Sequence, residues 1–317
     1  MIPSLGLVTA SVVVFDPIFH VSLAFQLENG IYSLLGISLL LTIPTIIIGY
    51  TLTALNTYIL KLFEGYVFFH RFRFMRQGHA RQANKLIQRR EILRNQIQQL
   101  AQKKRLSREE KLDLDALKTT YYSVVTTYDL SYPPPHAGIM PTKFGNILKA
   151  SEAYAGTRYG IDSVQFWPRL WHVIPTSYQQ TIENARNELS FLVNMSAVSV
   201  VFFLFCIVAI LINTSPNSFV LDEFLANSIR YIFAAILALG SNRFFNKAAL
   251  FSVGEFGMMI RSAYDLFRLD LLEQFRIKPP KDLDKEYQVW ANLGELIALG
   301  QEAIEFDGLR YENKSRC

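Results

Sequence analysis

The chain has 317 residues, a net charge of +5, 50% hydrophobic residues and only 19% charged ones, with a mean hydropathy of +0.18. Soluble domains carry about 25% charged residues, so these figures weigh against an ordinary water-soluble protein. The charge is also unevenly placed: residues 1–60 hold no Lys or Arg and two acids, whereas 61–105 hold twelve bases and two acids. Bases that gather directly behind a long apolar segment report a membrane orientation rather than a nucleic-acid interface. Two cysteines, Cys206 and Cys317, leave no disulfide framework and no CxxC metal set, and the five histidines are scattered without ligand spacing. No GxGxxG, GxxxxGK[ST] or GxSxG motif occurs, so no cofactor or metal is expected and nothing invites the enzyme classes that need those signatures.

The first element, residues 1–30, is an apolar N-terminal segment interrupted by Asp16, Pro17 and His20. It lacks the basic start of a signal peptide and reads either as a re-entrant or interfacial piece or as an additional span. Residues 31–69 follow as a transmembrane helix and its extension. The run from Ile31 to Leu60 is free of charge and exceeds the roughly 20 apolar residues that cross hydrocarbon, with Pro44 tolerated inside it. Its basic flank, including Lys61, Arg71, Arg73 and Arg76, places the following segment in the cytoplasm.

Residues 70–132 read as a basic helical hairpin. Leu86, Leu93, Ile97 and Leu100 recur at helical spacing. Ser107 with Glu110 forms a capping-box signature for a second helix bearing Leu114, Leu117, Tyr121, Val125 and Tyr128, ended by Pro133 to Pro135. The narrow apolar stripe fits coiled-coil association between subunits or packing within the same chain. The basic block suits anionic lipid headgroups. Nucleic acid is disfavoured as a partner, because Phe72 and Phe74 are the only aromatics among the hairpin's bases over 71–105.

Residues 133–194 form a motif-rich region in which Trp167 and Trp171 flank Arg169. Tryptophans beside a base suit a bilayer interface, and core packing is the competing reading. Residues 195–243 read as a transmembrane hairpin: one span around 196–212, a polar turn without bases, and a third span over 224–242 broken only by Arg230. An intramembrane Arg costs about 2.5–3.5 kcal/mol on insertion scales and seeks a partner or a cavity; if the span starts at Ile229, Arg230 instead snorkels to the interface. Residues 244–317 supply cytoplasmic helices, one over 253–277 closed by Pro279 and Pro280, another around 284–304 with Trp290. Glu64, Glu152 and Asp162 with Arg158 and Arg169 are acid and base residues in the motif segments, read as structural pairs before acid-base catalysts.

Three segments also carry a resemblance. LNTYILKLFEGY (55–66), MPTKFGNILKASEAYAGTRYGIDSVQFWPRLW (140–171) and MMIRSAYDLFRLDLLEQFRI (258–277) resemble, in order and spacing, the LLEGYW-like, PT[KR]xGN, YG[IL]D, WPRLW and RxAxDLxR-like motifs of a family of uncharacterised bacterial integral membrane proteins. The resemblance implies a bacterial plasma-membrane location and no particular activity. The expected fold is mainly α, with three transmembrane helices, or four if 4–27 spans, and a helical cytoplasmic domain. The expected function is a non-enzymatic inner-membrane anchor, scaffold or sensor whose cytoplasmic helices bind a partner. Its partners would be membrane lipids and a second copy or another protein. The alternative is an oligomeric channel or membrane-disrupting effector gated from the cytoplasm; a membrane-lipid enzyme acting near Trp167 and Arg169 is a third, weaker reading.

Overall fold

The computed structural model describes residues 4, 7, 8, 31–67, 73–103, 105–213 and 221–300. The apolar segment 9–30, Arg71 and the turn 214–220 lie outside the described residues. Among those described, the chain is mainly helical and contains no strand. Eight α-helices follow in order: α1 Ile31–Glu64, α2 Arg73–Ala101, α3 Arg108–Ser131, α4 Lys143–Tyr159, α5 Ser163–Trp171, α6 Thr176–Asn213, α7 Leu221–Gln274 and α8 Leu283–Leu299. The chain divides into two units. Unit 1 comprises residues 1–61 and 187–251, and unit 2 comprises 62–186 and 252–317.

Among the described residues, two helices are long and apolar enough to cross a membrane, Thr42–Glu64 and Thr176–Ile212. The stretch 224–242, read above as a third span, does not join them among the described residues. It forms part of α7, a single helix of 54 residues. Expected as a span followed by a separate helix from 253, this region is continuous because nothing between them breaks it: the sequence after Gly240 has no proline or glycine until Gly254. Pro44 is accommodated inside α1.

In unit 1, α6 and α7 pack through small side chains. Cys206 and Ala209 of α6 meet Tyr231, Ala234 and Ala235 of α7, and the Ser196 hydroxyl donates to Asn242 Oδ1 at 2.6 Å. Asn56 of α1 donates through Nδ2 to Ser190 Oγ of α6 at 3.3 Å. Large apolar side chains lie on the outside instead: Ile43, Ile47 and Tyr50 on α1, Leu204, Val208 and Leu211 on α6, Ile232, Phe233 and Ile236 on α7 are all exposed. Small and polar groups inside with aliphatic groups outside reverse the arrangement of a water-soluble bundle.

In unit 2, α2 and α3 form the expected hairpin. Tyr132, just past the end of α3, donates to Gln82 Oε1 near the start of α2 at 2.9 Å, and Ala83 is buried with Tyr128 and Tyr132, so the two helices run antiparallel. The capping box forms as the sequence indicates: Glu110 N donates to Ser107 Oγ at 3.1 Å and Ser107 N to Glu110 Oε2 at 2.9 Å. Lys103 closes the turn with an ion pair to Glu110. Leu93, Leu114 and Tyr128 are buried as the spacing predicts; Val124, rather than Val125, completes the inner face of α3. The main core of unit 2 joins α4, α5, the start of α6, the end of α7 and α8 around Phe166, Leu170, Tyr264, Leu272 and Trp290. Phe166 meets the Trp290 ring edge-on, with centroids 5.3 Å apart. The helix expected around 284–304 starts at Leu283 with Asp282 as its N-cap and reaches Leu299, capped by Gly300.

Candidate functional site

Parts of the three motif segments meet in unit 2, and the first junction joins residues 64–66 to 140–146. Gly65 has φ of +92°, a conformation few side-chain-bearing residues adopt, and a Cβ there would lie 2.6 Å from Pro141 Cγ. Thr142 caps α4 by accepting from Gly145 N at 3.0 Å, while its hydroxyl faces the Phe63 and Glu64 carbonyls at 2.7 and 2.9 Å. Gly145 allows that approach, because a Cβ there would sit 2.1 Å from the Glu64 carbonyl oxygen. Asn146 is fully buried and fixes the turn before the helix: its Oδ1 accepts from Met140 N, and its Nδ2 donates to the Met140 and Thr142 carbonyls. Pro141, Thr142, Gly145 and Asn146 of MPTKFGN thus each have a packing or capping task.

The second junction joins the YGID and RSAYDLFR segments. Tyr159 and Tyr154 of α4 both donate to Asp265 of α7, at 2.6 and 3.1 Å to Oδ1. Arg268, one turn on, pairs with Glu286 of α8 at 2.7 Å, donates to the Asp265 carbonyl and lies 4.1 Å above the Tyr159 ring. Burial, followed by the bond to Asp265, pushes the Tyr159 and Tyr154 hydroxyls above the usual phenol range. Both are therefore neutral donors at physiological pH. Gly160, at φ +76°, caps α4 in the left-handed region, with the Tyr287 carbonyl 2.6 Å from where a Cβ would stand. Asp162 caps α5 through the amides of Val164 and Gln165.

Two clefts open on unit 2. One, of about 370 Å³, is lined by Arg169, His172, Val173, Leu271, Gln274 and Phe275. The other, of about 120 Å³, lies among α3, α4 and α7 and is lined by residues that include Asp129, Tyr154, Arg158 and Arg261. Arg261 is buried, at 8% exposure. Its Nη2 donates to the Asp129 carbonyl at 2.7 Å, while its Nε is buried without a hydrogen-bond partner. Arg158 and Arg261 stand 4.9 and 5.1 Å from the centre of the Tyr154 ring. Burial lowers the Arg261 pKa from its usual value; an arginine nonetheless stays charged.

The residues singled out from the sequence are dispersed. Trp167 and Trp171 are half-buried against the core of unit 2, with Trp167 6.1 Å from Tyr264, so the packing reading accounts for both rings. Arg169 is exposed and donates to the Gln165 carbonyl at 2.8 Å. Arg73 and Arg76 are exposed on the first turns of α2, and Arg230 is exposed on α7 beside exposed Ile229. Of the acids, Glu152 is held partly buried, and burial raises its carboxyl pKa. Among the described residues no three His, Cys, Asp or Glu side chains gather as a metal site.

The sequence assigned no role to Tyr154, and Arg261, Asp265 and Arg268 stood out in it only as letters of the RxAxDLxR-like motif. A signal for the last three was present: Arg261, Asp265 and Arg268 fall at steps of four and three, which puts them on one face of their helix. No protein-family model, no curated protein and no solved structure matches the chain.

Proposed function

We propose that this chain is a non-enzymatic, multi-pass protein of the bacterial inner membrane, with unit 1 in lipid and unit 2 acting in the cytoplasm as a partner-binding helical module. The observation that carries the reading is the reversed surface of unit 1. Leu204, Val208, Ile232, Phe233 and Ile236 are exposed while Ala209, Ala234, Ala235 and Ser196 are buried. Water disfavours such a surface, since contiguous apolar patches of this extent mark membrane or protein contact. Lipid removes that penalty and leaves small-residue packing and interhelical hydrogen bonds to hold the helices together.

The bases of 61–105 support the orientation, because an excess of Lys and Arg beside a span stays cytoplasmic. On this reading α7 makes a further crossing from Phe224 to Asn242, and Arg230, close to the outer end, extends its guanidinium to the headgroups. Exposed Arg73 and Arg76 meet anionic lipid from the cytoplasmic side. The resemblance of the three motif segments to bacterial membrane proteins supports the location. Exposed Ile92, Leu112 and Tyr122 on the α2–α3 hairpin support contact with a second copy or another protein.

Alkaline carbonate extraction of membranes from cells expressing the full chain tests the anchoring. The chain stays with the lipid pellet if the reading holds; recovery in the soluble fraction would contradict it.

A further inference from the structure

We propose that the cleft among α3, α4 and α7 binds a phosphate-type oxyanion between Arg158 and Arg261. The proposal goes beyond the membrane reading and does not depend on it. The cleft measures about 120 Å³, several times the space that one water needs and suited to a compact tetrahedral anion rather than an extended ligand.

The chemistry of its lining selects charge. Every hydroxyl there already donates elsewhere: Tyr154 to Asp265, Tyr128 to the Pro133 carbonyl, Tyr132 to Gln82 and Thr157 to the Ala153 carbonyl. The N–H groups left to a ligand belong to the two guanidiniums. Arg261 supplies the most telling one, a buried Nε with no partner on a side chain anchored by its Nη2 to the Asp129 carbonyl. A buried donor left unsatisfied is costly, and an anion in the cleft would satisfy it. Neither arginine is ion-paired among the described residues.

Opposing charge is limited. Asp129 is the one acid that lines the cleft; its carboxylate is exposed, and its main-chain oxygen is the atom that engages Arg261. Asp265 lies behind Tyr154 and accepts from both tyrosines. Arg158 stands in the last turn of α4, where the helix dipole favours a cation, so its charge is in place before any ligand arrives. Both guanidiniums stand at nearly equal distances from the centre of the Tyr154 ring, which gathers them at one side chain of the cleft. A guanidinium pair of this kind grips phosphate oxygens through planar, paired N–H groups.

A phosphate group can come from free phosphate or from a lipid headgroup, and the test separates them. The full chain in neutral detergent is titrated with inorganic phosphate by calorimetry at constant ionic strength. It is also titrated with nanodiscs of phosphatidylcholine containing or lacking phosphatidic acid. Saturable phosphate binding that weakens at least tenfold in Arg158→Gln and persists in Arg169→Gln, an exposed arginine of the other cleft, is expected. If the lipid is the source, phosphatidic acid nanodiscs bind more tightly than inorganic phosphate, again through Arg158. Arg158 is exposed, so its replacement leaves the fold intact, and helicity measured by circular dichroism verifies this. Absence of binding to both probes, or equal binding by the wild type and Arg158→Gln, would overturn the proposal.

Discussion

Gly145→Ala separates close packing from helix propensity, because the two act in opposite directions at this position. In an ordinary helix interior alanine is favoured over glycine by about 1 kcal/mol. At Gly145 the added Cβ would lie 2.1 Å from the Glu64 carbonyl oxygen and 3.0 Å from its carbon. Both are backbone atoms, so no side chain can swing away. Accommodating the methyl requires residues 63–65 to retreat from α4, which also loosens the contacts of the Thr142 hydroxyl with the Phe63 and Glu64 carbonyls. Overpacking costs typically 1–3 kcal/mol, and a weakened hydrogen bond adds about 1 kcal/mol. After subtracting the propensity gain, Gly145→Ala should destabilise the protein by about 1–3 kcal/mol. The companion is Gly78→Ala in α2, where nothing lies within 4 Å of the added methyl; it should stabilise by up to about 1 kcal/mol. Thermal denaturation followed by circular dichroism in neutral detergent reads both variants. A Gly145→Ala protein as stable as Gly78→Ala would refute the docking of residues 64–66 onto α4.

Other expectations concern unit 2. Arg268→Met should cost about 3–5 kcal/mol, because it leaves Glu286 buried without its partner; the pair has side-chain exposures of 15% and 6%. Adding Glu286→Leu should restore much of that loss in the same denaturation assay. His79 is held partly buried next to Tyr132, and burial, then nearby Lys143, lowers its pKa. The neutral ring is thus favoured in the folded state, so its stabilising contribution is present above the unfolded value of about 6.5. It is lost as pH falls through the lower folded value. The melting temperature of the wild type should therefore decline below about pH 6.5 more steeply than that of His79→Gln.

Local features were the legible part of the sequence. The Ser107–Glu110 capping box, the α2–α3 hairpin, the stop at Pro133 to Pro135 and the helix around Trp290 each depend on residues close in the chain, and all are present. What spacing alone could not reveal was which distant groups would meet. Thr142 reads locally as a cap; its contacts with Phe63 and Glu64 depend on a chain separation of 78–79 residues. Trp167 and Trp171 have the composition of an interfacial pair, yet Tyr264, about a hundred residues away, provides a packing surface for Trp167. Arg261 was hidden for the same reason: its significance lies in burial and in an unsatisfied Nε, and neither can be seen in a string of letters. The α7 helix ran longer than expected because charged residues such as Arg243 and Lys247 change the polarity of a helix without ending it.

Lipid exposure of unit 1 is tested most directly by spin labels at Leu204 and Phe233, which are 54% and 62% exposed. Single cysteines at these positions, with Cys206 and Cys317 replaced by alanine, are labelled and reconstituted in bilayers. Power-saturation electron paramagnetic resonance then compares collisions with oxygen and with a water-soluble nickel chelate. High oxygen access with little nickel access at both sites is the predicted result; free access of the nickel chelate would contradict the membrane placement of unit 1.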